Sequence, residues 1–194
     1  MSVLKESRER FSRLYNLLVV LIGTGMCIGE LSALQWRDVD FKNGLISVNK
    51  SLLETIKEEG QFHIVPPKTD AGVRKIPIIP EVMLALKREK TQSDGKVKTP
   101  VDGLKNFVFV FNGHPFSRHY IDRTLRAFTK EYNESARKNR TTPLPFVSCH
   151  TCRHTFATRL HEMGVNVKTA QTVLGHASAK ITMDIYTGSD VKST

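Results

Sequence analysis

The sequence predicts an α+β fold that is mainly helical and contains one small antiparallel β-sheet. Three observations support this fold class: leucines recur at helical spacing near the start of the chain, turn signals separate short apolar strands between residues 43 and 80, and four helical segments follow residue 116. No internal repeat, low-complexity segment or domain boundary interrupts the pattern. We therefore expect residues 1–194 to form a single domain.

The first part of the chain predicts two helices. Leucines three and four residues apart favour a helix from Phe11 to Gly25, and Gly23 and Gly25 are expected to end it. A second, short helix is predicted from Ile28 to Trp36, where three apolar residues share one face. Cys27 lies at the junction of the two helices.

The residues that follow predict the sheet. A turn at Asn43 and Gly44 precedes a strand predicted from Leu45 to Leu52. Residues 61–78 predict two more strands around a polar turn from Lys68 to Gly72. Together these segments predict an antiparallel sheet of about three strands.

The rest of the chain is predicted to be mostly helical. Pro80 suits the first turn of a helix near Glu81 to Lys90. A polar loop then follows from Thr91 to Lys105, and Phe107 to Phe111 form a short apolar strand or extended segment. Four further helices are predicted, the first of them long, basic and amphipathic: Ser117 to Lys138, Cys149 to Met163, Val167 to Leu174 and about Ala179 to Tyr186.

The composition is that of an ordinary globular protein, with 40% hydrophobic and 25% charged residues in a chain of 194. The longest apolar run, Leu17 to Ile22, is too short to span a bilayer, and the N-terminal cations alternate with glutamates, unlike a signal peptide. The three cysteines form no disulfide framework, so reduced thiols are expected. We expect a cytoplasmic protein with no membrane partner.

The chain is strongly basic, with a net charge of +10 and an isoelectric point of about 9.7. Such a surplus of positive charge favours a polyanion as the partner. The alternative is a solvated basic surface that has no ligand. Charge alone does not decide between the two.

The last third of the chain concentrates residues that can act on a phosphate. The segment His-Thr-Cys-Arg-His places His150 and Arg153 three residues apart, on one face of a helix. His176 follows Gly175, a residue suited to the C-terminal cap of the preceding helix, and Tyr186 lies ten residues later. Each of these residues taken singly is explained by ordinary packing, so only the combination indicates a site.

These motifs, in their order and spacing, resemble those of the tyrosine recombinase, or phage integrase, family. The His-x-x-Arg-His, Leu-Gly-His and tyrosine elements are joined by Pro-Lys-Thr…Arg-x-Ile-Pro around Lys68 and by Gly-Thr-Gly-x-x-Ile-Gly-Glu-Leu around Glu30. The resemblance runs from about Phe11 to Tyr186 and is nearest to integrases of Gram-positive conjugative transposons and prophages. It implies the catalytic-domain fold of that family, and site-specific recombination for the DNA integration or excision of a mobile element.

The resemblance also implies the chemistry. Tyr186 is the expected nucleophile, which attacks a backbone phosphate of double-stranded DNA, forms a 3′-phosphotyrosyl link and releases a 5′-hydroxyl. Arg153 is expected to hold two phosphate oxygens, and His150 and His176 to donate hydrogen bonds to the phosphate. The family chemistry requires no metal and no nucleotide, so no cofactor is expected.

Two supporting residues are implied in the same way. Lys68 matches the family lysine that protonates the leaving 5′-oxygen, with Arg74 and Lys75 as nearby alternatives. Glu30 matches a family acidic position and is expected to orient its neighbours, although it could simply pair with a surface cation. His154 is expected to be structural, capping the helix or packing behind the arginine.

Cys27 departs from the family pattern, because the family places an arginine three residues before the position of Glu30. A neutral thiol brings one weak donor and no charge, and loss of a clamp arginine costs about 10³ to 10⁵ in rate. We therefore expect DNA binding with severely impaired cleavage. The alternatives are a catalytically inactive DNA-binding module and a thiolate nucleophile. Three origins fit: an engineered change, a degenerate natural copy, or a working enzyme that recruits another cation.

A metal or haem site is the competing interpretation of the cysteine-rich segment. Cys149, Cys152, His150 and His154 include zinc-ligand types, but they crowd one helical stretch and point in different directions. Arg153 interrupts the Cys-x-x-Cys-His motif that haem attachment requires. Neither site is therefore favoured.

The resemblance finally implies how the domain is used. Family members carry a core-binding domain, and often an arm-binding domain, before the catalytic domain, and this sequence begins close to the first catalytic helix. We expect those domains to be absent, so that DNA binding depends on phosphate contacts and weakens steeply with salt. The full-length protein is expected to act as a tetramer on DNA, associated with the bacterial nucleoid, whereas the isolated domain is expected to be monomeric.

Overall fold

The computed structural model describes residues 14–55, 61–92 and 97–187. Its helices are α1 (described over residues 14–24), α2 (Ile28–Ser32), α3 (Pro80–Gln92), α4 (Arg118–Lys138), α5 (Cys149–Glu162), α6 (Val167–Leu174) and α7 (Ala179–Tyr186). Its strands are β1 (Val39–Asp40), β2 (Leu45–Val48), β3 (Ser51–Glu54), β4 (Phe62–Val65), β5 (Arg74–Pro77), β6 (Val110–Phe111) and β7 (His114–Pro115). The predicted fold class is confirmed. None of the described helices is long and apolar enough to cross a lipid bilayer.

The hydrophobic core surrounds α1, as the leucine spacing predicted. It joins residues of α1 to β2, β5, α3 and α4, and the most deeply buried members from α1 are Leu14, Leu17 and Leu21. Gly23 lies inside this helix, so the prediction that it ends the helix was wrong. Gly25 ends the helix instead, with φ of +63°. Residues 11–13 of the predicted helix lie outside the described residues.

The predicted sheet is divided into smaller antiparallel units. β1, β2 and β5 form one sheet, β3 and β4 form a second, and β6 and β7 form a third. The strand predicted from Leu45 to Leu52 breaks at residues 49 and 50, because β2 pairs with β5 whereas β3 pairs with β4. The segment from Lys68 to Gly72, which contains a 3₁₀ turn at Asp70–Gly72, therefore connects two sheets and does not close a hairpin.

The second helix is shorter than predicted. α2 ends at Ser32, and a separate 3₁₀ turn occupies Trp36–Asp38. The Asp38 carboxylate accepts the Gln35 N–H at 3.0 Å, which begins that turn, and Gln35 also bridges Phe107. The prediction extended the helix to Trp36 because apolar residues continue at helical spacing. The structure instead begins a new 3₁₀ turn there, capped by the Asp38 side chain.

In the apolar segment from residue 107 to 111, residues 107–109 are buried, Phe107 forms an isolated bridge, residues 108 and 109 form a bend, and only the last two residues form β6. β6 pairs with β7 across Asn112 and Gly113, whose φ angles are +52° and +81°. An Asn-Gly pair with two positive φ angles is a strong signal for a tight hairpin, and the prediction missed it.

The C-terminal helices agree closely with the prediction. Ser117 caps α4 by accepting the Tyr120 N–H at 3.0 Å, and α5 ends one residue before the predicted Met163. α6 and α7 have the predicted limits, and both pack against α5. This bundle positions the residues of the C-terminal motifs.

Candidate active site

The N-terminal cap of α5 fixes the orientation of the His-x-x-Arg-His segment. Ser148 Oγ accepts the Thr151 N–H at 3.2 Å, and Thr151 Oγ1 accepts the Ser148 N–H in return. Cys149 and Cys152 face the core, with 4% and 3% of their surface exposed. The opposite side of the helix therefore presents His150 to solvent.

Arg153 joins the ends of two helices. Its Nη1 donates to the Gly25 carbonyl at 2.8 Å, and its Nη2 donates to the Leu174 carbonyl at 2.6 Å. Both carbonyls lie at C-terminal helix ends, where backbone acceptors otherwise lack partners. Partial burial lowers the pKa of Arg153, and the Glu30 carboxylate is the strongest of the charges that oppose this. The guanidinium is thus a fixed, partly buried cation.

Glu30 lies beside this cation but bonds a different arginine. Its two carboxylate oxygens accept from Arg74 Nη1 at 2.8 Å and Arg74 Nη2 at 2.9 Å, and one also accepts the Cys27 N–H at 2.8 Å. Burial acts to raise the pKa of Glu30, but the hydrogen bonds and charge of Arg74 outweigh it and hold the pKa below its usual range. Glu30 thus bonds the Cys27 N–H and a buried arginine, and its cation is not the surface cation of the alternative.

Arg74 is the residue whose importance the sequence did not reveal. Its side chain is 3% exposed, and besides Glu30 it donates to the Gly72 carbonyl at 3.0 Å and the Val173 carbonyl at 2.7 Å. A signal was present, because Arg74 and Ile76 lie on the same face of a short strand and Ile76 is apolar. These contacts remove Arg74 as an alternative to Lys68.

Lys68 lies in the exposed segment that precedes the 3₁₀ turn at Asp70–Gly72. That turn approaches the C-terminal end of α6, since a Cβ added at Gly175 would lie 3.1 Å from the Ala71 carbonyl oxygen. Lys75 is exposed on β5 and, as the neighbour of Arg74, points to the opposite side of the sheet. Of the three cations considered for this role, Lys68 remains the candidate.

His176 is placed by the turn that ends α6. Gly175 adopts φ of +70°, and a Cβ there would lie 2.8 Å from Arg74 Nη1, so only glycine fits without displacement. His176 is 8% exposed, and its Nδ1 hydrogen-bonds Thr182 Oγ1 of α7 at 2.9 Å. The turn thus brings His176 next to the end of α6 that Arg153 binds.

His150 and His154 form a pair on the outer face of α5. Their Nε2 atoms lie 2.6 Å apart and their ring centroids 4.2 Å apart. One ring donates this hydrogen bond and the other accepts it. His154 thus has a structural contact with His150, and the expectation that it caps the helix or packs behind Arg153 stays a prediction.

Tyr186 lies away from this cluster. Its hydroxyl donates to the Val165 carbonyl at 3.3 Å, and its ring packs against His161 in a tilted arrangement with a centroid distance of 4.4 Å. Val165 precedes α6, whereas the Leu174 carbonyl that Arg153 binds is at the other end, and eight helical residues span about 12 Å. Partial burial raises the pKa of Tyr186. The structure therefore assembles the cation cluster without bringing the tyrosine to it.

Cys27 is the N-cap residue of α2 and lies near Glu30 and Arg153. Burial and the Glu30 carboxylate raise the pKa of its thiol, so the thiol is neutral and a poor nucleophile. The thiolate alternative is therefore not supported. Arg74, a buried guanidinium near this cysteine, is bound to Glu30 and to backbone carbonyls.

The cysteines of α5 act as core residues. Burial raises the pKa of the Cys149 thiol, and it raises the pKa of the Cys152 thiol to about 11. Among the residues that the structure describes, no group of three or more histidine, cysteine or acidic side chains is placed to hold a metal ion. The segment therefore supplies packing for α5.

Comparison with known proteins identifies the family. The model of the phage integrase family matches residues 2–193. The chain belongs to this family. It is 30% identical over 179 residues to the transposase of transposon Tn916 from Enterococcus faecalis, a match that covers 92% of the chain and 43% of the relative. It is 32% identical to a XerC-like tyrosine recombinase from Caldanaerobacter subterraneus, covering 90% of the chain and 45% of the relative.

Solved structures confirm the fold of this family member. The integrase of transposon Tn1549, residues 82–397, in complex with circular intermediate DNA superposes with a TM-score of 0.81 and 36% identity, covering 90% of the chain and 55% of that structure. The XerA recombinase superposes with a TM-score of 0.62 and 26% identity, covering 94% of the chain and 53% of that structure. The chain spans about half the length of the relatives it matches. Its resemblance to catalytic domains of conjugative-transposon integrases is confirmed.

Proposed function

We propose that this chain is the catalytic domain of a site-specific recombinase that cuts and rejoins double-stranded DNA to integrate or excise a mobile element. The observation that carries the proposal is the fixed Arg153 guanidinium, held by two helix-end carbonyls within the cluster formed by Glu30, Cys27 and the turn that bears His176. A preorganised cation of this kind stabilises the charge that a phosphodiester gathers in its transition state.

The reaction conserves the phosphodiester bond energy. The Tyr186 oxygen attacks phosphorus, so that a phosphotyrosyl bond forms while the bond to the 5′-oxygen breaks. The tyrosine proton passes to a nearby base, for which His150 and His176 are the candidates, and Lys68 protonates the departing 5′-oxygen. A 5′-hydroxyl from another strand then reverses these steps and frees Tyr186, with no metal or nucleotide required.

The resting position of Tyr186 requires a movement before attack. The hydroxyl lies at one end of α6 and the Arg153 guanidinium at the other, about 12 Å away along the helix. An in-line attack requires the oxygen within van der Waals distance of the phosphorus, about 3 Å. We therefore infer that α7 is displaced when DNA is engaged.

Cys27 is expected to weaken the chemistry. It supplies a neutral thiol where the family has an arginine, and the nearby Arg74 and Arg153 are already engaged with Glu30 and with backbone carbonyls. Loss of a clamp arginine lowers phosphoryl-transfer rates by about 10³ to 10⁵. The same observation favours a second candidate function, a DNA-binding module that no longer cleaves.

DNA as the partner is supported by the basic charge of the chain and by the relatives. The Tn1549 integrase has been solved in complex with circular intermediate DNA. We propose that the whole protein works as a tetramer on two duplexes in the bacterial cytoplasm, bound to the nucleoid. The isolated domain is proposed to be monomeric.

Covalent trapping tests the proposal. The substrates are nicked duplexes whose sequences come from the DNA on both sides of the gene that encodes this chain. The nick lets the cut fragment diffuse away, so that the phosphotyrosyl protein accumulates and shifts on a denaturing gel. The chain as given is compared with Cys27→Arg, and Tyr186→Phe in the Cys27→Arg protein is the blank. Trapping of Cys27→Arg, at a rate about 10³-fold or more above the chain as given, is the expected result.

Two results contradict parts of the proposal. Equal trapping of both proteins would show that residue 27 is not a phosphate clamp. If Cys27→Arg binds DNA but is not trapped, the recombinase function is contradicted and the second candidate function, a DNA-binding module that does not cleave, is supported.

A further inference from the structure

We propose that Arg74 is a positioning residue that occupies both carboxylate oxygens of Glu30 and so keeps Glu30 from binding Arg153, the guanidinium that must receive the DNA phosphate. This inference rests on the proposed role of Arg153. It gives Arg74 a role different from the alternative considered above, in which Arg74 protonates the leaving 5′-oxygen.

Glu30 is the carboxylate that competes for Arg153. Among the described residues, it contributes the strongest charge effect on Arg153. The charged groups that lower the pKa of Glu30 are Arg74 from β5 and Arg153 from α5, and the Cys27 backbone N–H adds a hydrogen bond. A buried carboxylate needs a cation, and only two arginines of this set can supply one.

The observed geometry assigns Glu30 to Arg74. The two side chains form a bidentate pair at 2.8 and 2.9 Å, with 10% of the Glu30 side chain and 3% of the Arg74 side chain exposed. The Cys27 N–H occupies a further acceptor site on the same carboxylate. Charge-assisted bidentate pairs are the strongest hydrogen-bonded contacts of this type, so Glu30 is held in place.

Arg74 itself is anchored independently of Glu30. Its Nε donates to the Val173 carbonyl at 2.7 Å, and Arg153 Nη2 donates to the next carbonyl along the chain, that of Leu174. The two guanidinium groups are therefore fixed side by side at the end of α6, with Glu30 compensating the first. The charge of Arg153 is left for an incoming phosphate.

Removal of Arg74 changes the partner that Glu30 selects. An unpaired buried carboxylate is strongly destabilising, so Glu30 is expected to turn to Arg153, the other cation within its field. The phosphate must then displace an internal carboxylate. Removal of Glu30 together with Arg74 abolishes this competition. Glu30→Gln is therefore expected to restore the DNA affinity that Arg74→Gln loses.

The first test measures DNA affinity. Fluorescence anisotropy with a labelled nicked duplex is recorded for the chain as given, Arg74→Gln, Glu30→Gln and the double variant. Lys75→Gln is the matched control, because it removes one cation from the next position of the same strand, where the side chain is exposed. We expect Arg74→Gln to bind about tenfold more weakly than Lys75→Gln, and the double variant to regain the affinity of the chain as given.

The second test does not depend on DNA. Urea unfolding midpoints are measured for Glu30→Gln, Arg153→Gln and their double variant, once with Arg74 present and once in the Arg74→Gln background. The coupling between residues 30 and 153 is expected to be weak with Arg74 present and to rise clearly without it. A purely structural role for Arg74 leaves this coupling unchanged.

The outcomes separate this inference from the proposed function. Equal coupling in the two backgrounds, or an Arg74→Gln affinity equal to that of Lys75→Gln, would overturn the inference. Increased coupling in a protein whose DNA affinity does not respond to Arg153→Gln would support the control of Glu30 by Arg74 and contradict the phosphate role of Arg153. Increased coupling with rescue of affinity by Glu30→Gln supports both.

Discussion

Individual arginines organise the site by binding backbone carbonyls as well as carboxylates. Arg153 bonds the carbonyls of Gly25 and Leu174, and Arg74 bonds the carbonyl of Val173. These acceptors are the unpaired groups of helix ends, so each guanidinium satisfies the fold while remaining fixed for chemistry. In the proposed function, the position of the DNA phosphate is therefore set by where α1 and α6 end.

The sequence predicted the residues with motif-specific spacing better than the contacts between them. Gly175 was recognised as a cap because glycine tolerates a positive φ, and the structure has it at +70°. Arg74 was treated as a substitute for Lys68, since its partner Glu30 lies 44 residues away in the chain. Pairing across that distance depends on strand register, which local patterns do not specify.

A buried glutamate on α3 provides a stability prediction at the same scale. Glu89 is 6% exposed, accepts a hydrogen bond from Asn16 Nδ2 at 2.9 Å, and has its pKa raised by burial. A carboxyl group whose pKa is raised on folding stabilises the fold when protonated, and this stabilisation is lost as the pH rises through the folded-state pKa. Glu89→Gln keeps the acceptor oxygen and removes the charge.

We therefore expect Glu89→Gln to have a higher Tm than the chain as given at pH 7, with the difference disappearing near pH 4, about the unfolded pKa of glutamate. Thermal unfolding followed by circular dichroism between pH 4 and pH 8 checks this. Glu81→Gln, an exposed position on the same helix, is the control and should give no gain. A lower Tm for Glu89→Gln at pH 7 would mean that the folded protein uses the negative charge.

At the scale of elements, α7 carries the expected nucleophile in a position from which it does not reach the cluster. Its N-terminal half bonds His176 through Thr182, whereas its C-terminal end carries Tyr186 to His161 and Val165. The limits of α7 were predicted from the sequence, but the packing of Tyr186 was not. No local pattern indicates which side chain of α5 the tyrosine ring meets.

The contact between the Tyr186 and His161 rings predicts that His161 slows cleavage by holding Tyr186 away from Arg153. His161→Ala is made in the Cys27→Arg protein. It removes an aromatic contact that Tyr186 makes in its observed position and would lose on moving to the phosphate, and such contacts contribute about 0.5 to 1.5 kcal/mol. We expect covalent trapping on nicked DNA to accelerate by about two- to tenfold. His114→Ala, which removes an exposed histidine from β7, is the matched control and should leave the rate unchanged. Slower trapping by His161→Ala would show that His161 assists the attack instead.

The division of the sheet shows a second limit of prediction at this scale. The alternating residues from Leu45 to Leu52 were correctly assigned to extended structure, yet they serve two different sheets. β2 ends where its pairing with β5 ends, at Val48 opposite Arg74, and this pairing places Arg74 next to the site. The break between β2 and β3 therefore helps to place Arg74 at the site. The sequence alone does not show this, because it depends on which strands pair.

At the scale of the whole molecule, a net charge of +10 predicts that electrostatic attraction is the main source of the proposed affinity for DNA. Each neutralised phosphate releases counterions, so the logarithm of the binding constant falls with the logarithm of salt concentration by about 0.9 for every phosphate contact. The location of each charge then decides whether it contributes to the salt dependence of DNA binding. A cation that is held against other side chains of the protein contributes little to this slope.

Two lysines with the same charge allow this to be tested. Lys68 is exposed beside the turn at the end of α6, whereas Lys90 lies over the rings of Trp36 and Phe41 at 5.7 and 5.2 Å. We expect Lys68→Gln to reduce the salt slope of duplex binding by about 0.9 and Lys90→Gln to leave it unchanged, although both lower the net charge equally. Anisotropy titrations between 50 and 200 mM salt, roughly the range over which this effect is large, measure both slopes. Equal slopes for the two variants would mean that the total charge of the molecule, and not a defined face around the candidate site, determines how it meets DNA.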